Sequence, residues 1–247
     1  MDMERSSARA ASPLVETAAT SKQHILARSP FAGLPGESQS ALLDLAALEQ
    51  LPRRHAITTQ GEPTRSLLVI GSGRVKIERM REDRAVPLGH RGPGHLIGET
   101  ALSGAATATE SASVVDDVEA LVIPLVPLRQ TMAADARLRA AVADAIVEQH
   151  RELELRLVGL LLHGVEARLA AFLLDAADRW GRPHPEGELV TAPFTHAEIA
   201  QLIGSTRETV TLVLGKLKRE GLLAFDHRRV IIRDRAMLAQ RAAAPAA

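Results

Sequence analysis

The sequence predicts an α+β chain: a β-rich sandwich or barrel, then a long helix, then a C-terminal winged helix-turn-helix. Three observations predict it. Up to about Val126, β-rich runs alternate with Gly and Pro punctuation, as in "HAITTQGEPTRSLLVIGSGRVKIERM". From Asp135 to Leu162 there is no proline and only one glycine, Gly159, while Ile146, Leu153 and Leu160 recur every seven residues. From Thr195 onward, two segments of helical periodicity flank a Gly-Ser-Thr turn, and two short β-rich runs follow.

Composition narrows the function classes. The chain has 247 residues, which suits two domains better than one. Apolar residues make up 46% and aromatic residues 2%, so Leu, Val, Ile and Ala must fill the cores. The formal net charge is zero, so any affinity for nucleic acid must come from a local patch. The absence of cysteine excludes disulfides, thiolate zinc sites, cysteine-ligated clusters and cysteine nucleophiles. No run is apolar and long enough to span a membrane, and the N-terminus lacks the apolar core of a signal peptide. A cytoplasmic protein is therefore expected. HExxH, Walker and GxSxG motifs are missing, and an enzyme is not expected.

The elements follow in order. Residues 1–24 and 239–247 are rich in Ala, Ser and Thr or in Ala and Pro, and are expected to be disordered tails. A short helix is expected over Ser38 to Glu49, with Leu42, Leu45 and Leu48 on one side. The β-rich domain is placed at 25–133 and the long helix at 134–163. Val142, Ile146, Leu153, Leu157 and Leu160 form an apolar seam along that helix. The plain alternative is a helix packed on its own domain. At ~1.5 Å per residue, however, it extends ~40 Å, more than a small β-domain covers, so the seam is expected to join a homodimer. A further helix, "VEARLAAFLLDAADRWG", opens the last domain, 164–238, and the loop "RPHPEGE" follows it.

"THAEIAQLIGSTRETVTLVLGKLKREGLL" reads as two helices around a tight turn. Thr195 and Glu198 have capping-box spacing, and Ser205 or Thr206 caps the second helix. Val210, Val213, Leu214 and Leu217 mark the buried face of that helix. Glu208, Leu212, Gly215 and Arg219 fall opposite, with Arg207 and Thr211 flanking them. An arginine at the start of a recognition helix can bridge guanine O6 and N7, and a glutamate can accept from cytosine N4. Read alone, Glu208 also satisfies a helix N-terminus and Arg207 also suits solvent. The following segment favours base reading: from Ser205 to Arg235, eight Lys or Arg stand against four acids. The expected double-stranded DNA contacts are Thr206, Arg207, Glu208, Thr211, Leu212, Lys216, Arg219, Arg228 and Arg229.

The order of β-domain, long helix and winged helix-turn-helix resembles the Crp/Fnr family of bacterial transcription regulators, from Phe31 to Asp234. "LVIGSGRVKI" resembles its β-roll hairpin and "GPGHLIGETAL" the start of its phosphate-binding cassette. "IAQLIGSTRETVTLVLGKLKREGLL" resembles its recognition segment, the most specific of the three. The resemblance implies an N-terminal β-roll, a cyclic-nucleotide-binding-like jelly roll, and DNA binding. It places Arg207 and Glu208 at base-reading positions for a palindromic TGT-type site. Cyclic AMP receptors usually carry a second arginine where this chain has Leu212, which either covers a thymine methyl or is a bland surface residue. The loop Arg182 to Gly187 resembles the loop with which activators of the family touch RNA polymerase.

The resemblance also implies an effector pocket, and here the chain departs from the pattern. Gly98 and Glu99 match the start of the cassette. The position of its phosphate-clamping arginine falls on Thr109 or Glu110, depending on a one-residue gap, and no Arg or Lys lies between Glu99 and Leu128. The pocket is read as degenerate and cyclic nucleotide is not expected. Haem, by way of His90 or His95 in what read as surface loops, is not expected either, and no metal site is. The competing reading is a module that senses an unknown small molecule or haem and regulates through protein contacts.

Overall fold

The computed structural model describes residues 13–82, 84–105 and 107–244. The chain divides into two compact units, 1–75 with 93–145, and 76–92 with 146–247. The division is not the sequential one expected. Residues 76–92 lie inside the predicted β-domain yet belong to the second unit.

The first unit opens with α1 (Pro13–Ala27) and α2 (Gly36–Leu45), followed by β1 (Ala47–Leu51) and β2 (Ala56–Thr58). β3 (Ser66–Arg81) is 16 residues long and runs on into the second unit. β5 (Leu96–Ile97), a one-turn 3₁₀ helix (Glu99–Ser103), β6 (Ser111–Pro124) and α3 (Leu125–Ala134) complete the first unit's own elements. β1 and β2 both pair antiparallel with β6, and β5 pairs with β3. Leu67, Leu68, Val69 and Ile70 of β3 are buried in succession, as are Ala120 and Leu121 of β6, so these stretches are covered on both faces. The strands are longer and fewer than the Gly and Pro spacing suggested.

Three expectations are corrected here. The N-terminal tail does not extend to residue 24. α1 begins at Pro13, Ile25 and Leu26 are buried, and Lys22 donates to the carbonyls of Leu43 and Ala46. Residues 1–12 lie outside the described residues. The expected helix to Glu49 stops at Leu45, and Leu48 lies in β1, because the chain enters its ladder with β6 at Ala47. The expected C-terminal tail is helical through Ala242, as shown below; residues 245–247 lie outside the described residues.

α4 (Ala136–Leu162) matches the predicted long helix almost to the residue. Its regularity is local: all but Asp144, His150 and Gly159 are good helix formers or apolar, and no proline interrupts the i to i+4 ladder. The second unit then adds α5 (Val165–Trp180), β7 (Gly181–His184), β8 (Gly187–Val190), α6 (His196–Leu202), α7 (Arg207–Arg219), β9 (Leu223–Asp226), β10 (Arg229–Ile232) and α8 (Arg235–Ala242). β4 (Arg84–Arg91) also belongs to this unit. The four short strands form one antiparallel sheet in the order β7-β8-β10-β9. The "RPHPEGE" segment is therefore a hairpin that extends the wing, not a loop.

A single core joins these elements. Leu169, Leu173 and Ala176 of α5 meet Ile199 of α6, Val210, Leu214 and Leu217 of α7, and Leu223 and Ile232 of the wing. Leu238 of α8 is fully buried in the same cluster. Asp234 caps α8 by accepting from Met237 N at 2.9 Å, and Arg241 pairs with Glu166 and Glu220 at 3.0 Å each. A cap, one buried leucine and two acids far away in sequence turn an Ala-rich stretch into a docked helix.

Leu238→Ala is expected to lower the stability of the second unit by about 2–5 kcal/mol, the range for a buried leucine lost to a cavity. Urea unfolding followed by circular dichroism would measure it. A midpoint unchanged from the parent would return residues beyond 234 to a tail.

Candidate nucleic-acid interface

The helix-turn-helix is built as its sequence spacing requires. Thr195 accepts from Glu198 N at 3.2 Å, and Glu198 Oε2 accepts from Thr195 N at 2.7 Å, which closes a capping box on α6. Of the two candidate caps for α7, Thr206 serves, accepting from Thr209 N at 3.2 Å. The backbone at Gly204 makes the turn between them, and Arg168 clamps it. Its Nε donates to Ile203 O at 2.7 Å, Nη2 to Gly204 O at 3.1 Å and Nη1 to His163 O at 2.6 Å.

α7 presents two faces. Val210, Leu214 and Leu217 are buried. Thr206, Arg207, Glu208, Thr211, Leu212 and Arg219 are exposed, and Leu212, at 73%, is among the most exposed apolar residues described. Thr211 Oγ1 donates to Arg207 O at 2.8 Å and also meets His196 Nδ1 at 2.8 Å, so its hydroxyl holds the first turn in shape. Arg207 and Glu208 sit on that turn, beside the open backbone N–H groups that attract anions.

The basic patch is smaller than its residue count. Lys216 Nζ is 2.5 Å from Glu166 Oε2. Arg233 is bonded to Glu186, and its guanidinium holds the Glu186 carboxyl below the usual range. Arg235 is bonded to Glu188 at 2.8 Å and to Asp178, both of which raise its pKa. Three of the eight counted cations thus bind acids that lie outside the counted segment. Lys216, expected to contact DNA, is one of these three and stays partly exposed in its pair with Glu166. Arg207, Arg219, Arg228 and Arg229 remain exposed, the last two at the turn between β9 and β10.

The seam residues divide. Val142 is 2% exposed and packs inside the first unit, so it is removed from the expected seam: its side chain has no surface left for a second chain. Ile146 is half-buried. Leu153, Leu157 and Leu160 are 40%, 57% and 40% exposed, a stripe one turn apart on the C-terminal half of α4. Leu160 also lies beside Gly204, where an added Cβ would be 2.8 Å from its Cδ2.

The four cassette residues are placed as follows. Gly98, at φ 88°, turns the chain into the 3₁₀ helix, and a Cβ there would lie 2.6 Å from Ser66 O. Glu99 is the first residue of that helix. Thr109 is exposed, and Glu110 is half-buried with its carbonyl accepting from Thr58 Oγ1 at 3.3 Å. A cavity of about 300 Å³ beside Thr58, Glu62, Thr64 and Ser66 is lined by none of the four. Sequence reasoning missed Arg129: from α3 it donates to Ala101 O of the 3₁₀ helix. Only its position one residue past the searched segment hid it. His90, read as a surface-loop residue, lies on β4 with its ring 5.5 Å from that of Phe194.

Among the described residues no helix is long and apolar enough to cross a membrane. Two family models match: a cyclic nucleotide-binding domain over residues 48–135 and a Crp-like helix-turn-helix domain over residues 167–241. The chain is 32% identical over 220 residues to a CRP-like cAMP-activated global transcriptional regulator of Mycobacterium tuberculosis, covering 88% of this chain and 98% of that protein. It is 33% identical to the transcriptional regulator LdrP of Thermus thermophilus, over 79% of this chain and 96% of that one. Among solved structures, a CRP-family regulator from Thermus thermophilus is similar at 29% identity and a TM-score of 0.67, covering 79% of this chain and 97% of that one. FixK2 from Bradyrhizobium japonicum shares the fold at a TM-score of 0.71 and 21% identity, covering 81% and 98%. A cyclic nucleotide-binding-like β-domain followed by a capped, turn-clamped helix-turn-helix, with a relative 32% identical over 88% of this chain, places it in the Crp/Fnr family of transcriptional regulators, with a helix-turn-helix DNA-binding domain.

Proposed function

We propose that this regulator binds an inverted-repeat DNA site with TGT-type half-sites as a homodimer, and does so without cyclic nucleotide. The observation that carries the reading is the first turn of α7. Arg207 and Glu208 are exposed together there, on a turn held by the Thr206 cap and the Thr211 hydroxyl. An arginine so placed suits a guanine, and the adjacent glutamate suits a cytosine. Arg228 and Arg229 at the wing turn suit the phosphates that fix register. Leu212 offers only apolar contact, which suits a thymine methyl. No catalytic or cofactor chemistry enters this reading, and such a chain acts in the bacterial cytoplasm.

The homodimer rests on Leu153, Leu157 and Leu160. A stripe of exposed leucines one turn apart is costly in water and is what a second copy of the same helix covers. A two-fold dimer presents two α7 helices to half-sites about one turn apart. The β7–β8 turn supplies an exposed surface for RNA polymerase: Arg182 and Pro183 are exposed, and the bond from Arg233 to Glu186 steadies the turn.

Nucleotide independence rests on charge. The cassette has no Arg or Lys from Glu99 to Leu128, and Arg129 is bonded to the carbonyl of Ala101 in the 3₁₀ helix. A phosphate held by the cassette alone meets no cation there and carries a desolvation cost; Arg65, which lines the neighbouring cavity, lies outside the cassette. The named cAMP activation belongs to the mycobacterial relative.

Arg207→Ala is expected to lose about 1–3 kcal/mol at one G·C pair and to relax preference there, read by selection from a random DNA pool. The double change Pro183→Ala and His184→Ala is expected to leave DNA affinity intact while lowering transcription from an activated promoter, read by gel shift and by in vitro transcription. An unaltered base preference in Arg207→Ala would remove this residue from the reading face.

Leu153→Asp is expected to shift the sedimenting species from dimer to monomer and to weaken operator binding, because each chain would bring an unpaired charge to the seam. A variant that still sediments as a tight dimer places the seam elsewhere.

Operator affinity is expected to be the same with and without millimolar cyclic AMP or cyclic GMP, and calorimetry to show no saturable heat. Micromolar binding coupled to tighter DNA association is the contrary result.

A further inference from the structure

The second unit holds a cavity of about 330 Å³ bounded by β4, the C-terminal half of α4, α5 and the end of α6. This is the size of a small-ligand site. Its wall is of two kinds. One side is made of rings: the Phe194 centroid lies 5.0 Å from Phe172 and 5.7 Å from Trp180, both edge to face. The other side is ionic, with three arginines, Arg156, Arg168 and Arg179, facing two carboxylates, Glu152 and Asp175.

The two carboxylates are already matched. Arg179 Nη2 is 2.8 Å from Asp175 Oδ1 and 3.1 Å from Glu152 Oε2, and Arg91 approaches Glu152 at 3.7 Å. Burial works against the Arg179 charge, but these bonds outweigh it and raise its pKa. Arg168 is committed through Nε, Nη1 and Nη2 to three backbone carbonyls. Arg156 is left as the surplus cation. Its Nη1 donates to Leu88 O, and among the described residues it pairs with no carboxylate. Burial pushes its pKa below the ordinary value, with Asp175 opposing. The position is made for it: a Cβ at Gly89 would lie 2.5 Å from Arg156 Nη1, so the guanidinium enters where a side chain is missing.

An enclosed guanidinium with donors to spare, next to a wall of rings, matches a ligand that is flat and apolar at one end and anionic at the other. We propose that this cavity binds a small aromatic carboxylate, its ring against Phe172, Trp180 and Phe194 and its carboxylate on Arg156. Leu202 and Ile203 also line the cavity, so the occupant lies against the first helix of the reading head. The inference depends neither on the DNA site nor on nucleotide independence.

The chain supplies its own reporter. Trp180 is its one tryptophan and it has no tyrosine, so intrinsic emission reads this cavity. The full chain would be titrated with phenylacetate, with 2-phenylethanol as the neutral analogue and inorganic phosphate as the ring-free anion. Phenylacetate is expected to change Trp180 emission saturably, 2-phenylethanol to bind roughly tenfold or more weakly as one charge-assisted bond is lost, and phosphate to have no effect. Arg156→Met is expected to weaken phenylacetate to the level of 2-phenylethanol, Arg156→Lys to retain part of the difference, and Ala171→Phe to block both by filling the space. Thermal melts establish that each variant is folded; if Arg156→Met is not, Arg156→Lys and the comparison of analogues decide. A folded parent that ignores phenylacetate, equal binding of acid and alcohol, a response to phosphate alone, or undiminished affinity in folded Arg156→Met overturns the proposal.

Discussion

One guanidinium sets the geometry of the reading head. Arg168 donates to the carbonyls of His163, Ile203 and Gly204, which belong to the end of α4 and to the turn between α6 and α7. Carbonyls at helix ends have no partner in their own helix, and enclosing them unpaired costs free energy. A single planar fork satisfies three at once from spread, fixed positions, where a lysine would have to bring all three to one nitrogen. The direction in which α7 leaves its turn is thereby tied to the end of α4. Arg207 and Glu208, on the first turn of α7, follow directly from that turn.

The electrostatics of the second unit are largely internal. Glu166 pairs with Lys216 and Arg241, Glu186 with Arg233, and Glu188 with Arg235. These bonds knit α5, α7, α8 and the hairpin into one body. They also withdraw charge from the surface that would face phosphates. Of the counted cations, those exposed outside these pairs are Arg207 at the α7 N-terminus, Lys218 and Arg219 at its C-terminus, and Arg228 and Arg229 at the wing turn. A reader of DNA built in this way depends on a few well-placed arginines rather than on a broad positive field, in keeping with a chain of zero net charge.

α4 serves three surroundings along its 27 residues. Leu138, Val142 and Ala145 are buried in the first unit. Further on, Glu152, Leu155, Arg156 and Gly159 line the second-unit cavity. Leu153, Leu157 and Leu160 share a different side and remain exposed. At about 100° per residue, the cavity side and the leucine stripe are separated around the axis, so a ligand and a second copy of the chain do not compete for the same side chains.

The local features were legible in the sequence because their physics is local. The Thr195–Glu198 capping box, the Thr206 cap, the apolar face of α7 and the extent of α4 all depend on residues within one or two turns of each other. The exposed reading positions followed from the same periodicity. Tertiary structure alone decided the rest. α8 is a helix and not a tail because Leu238 finds a core and Arg241 finds Glu166, 75 positions away. Lys216 is paired with an acid 50 positions back. Val142 leaves the seam because its own unit covers it. The second-unit cavity exists only because β4 brings Leu88, Gly89 and His90 against α4 and α5, with Arg156 and Leu88 68 positions apart. Periodicity records which side of a helix is apolar; what covers that side, and which charge answers which, is settled only when distant segments meet.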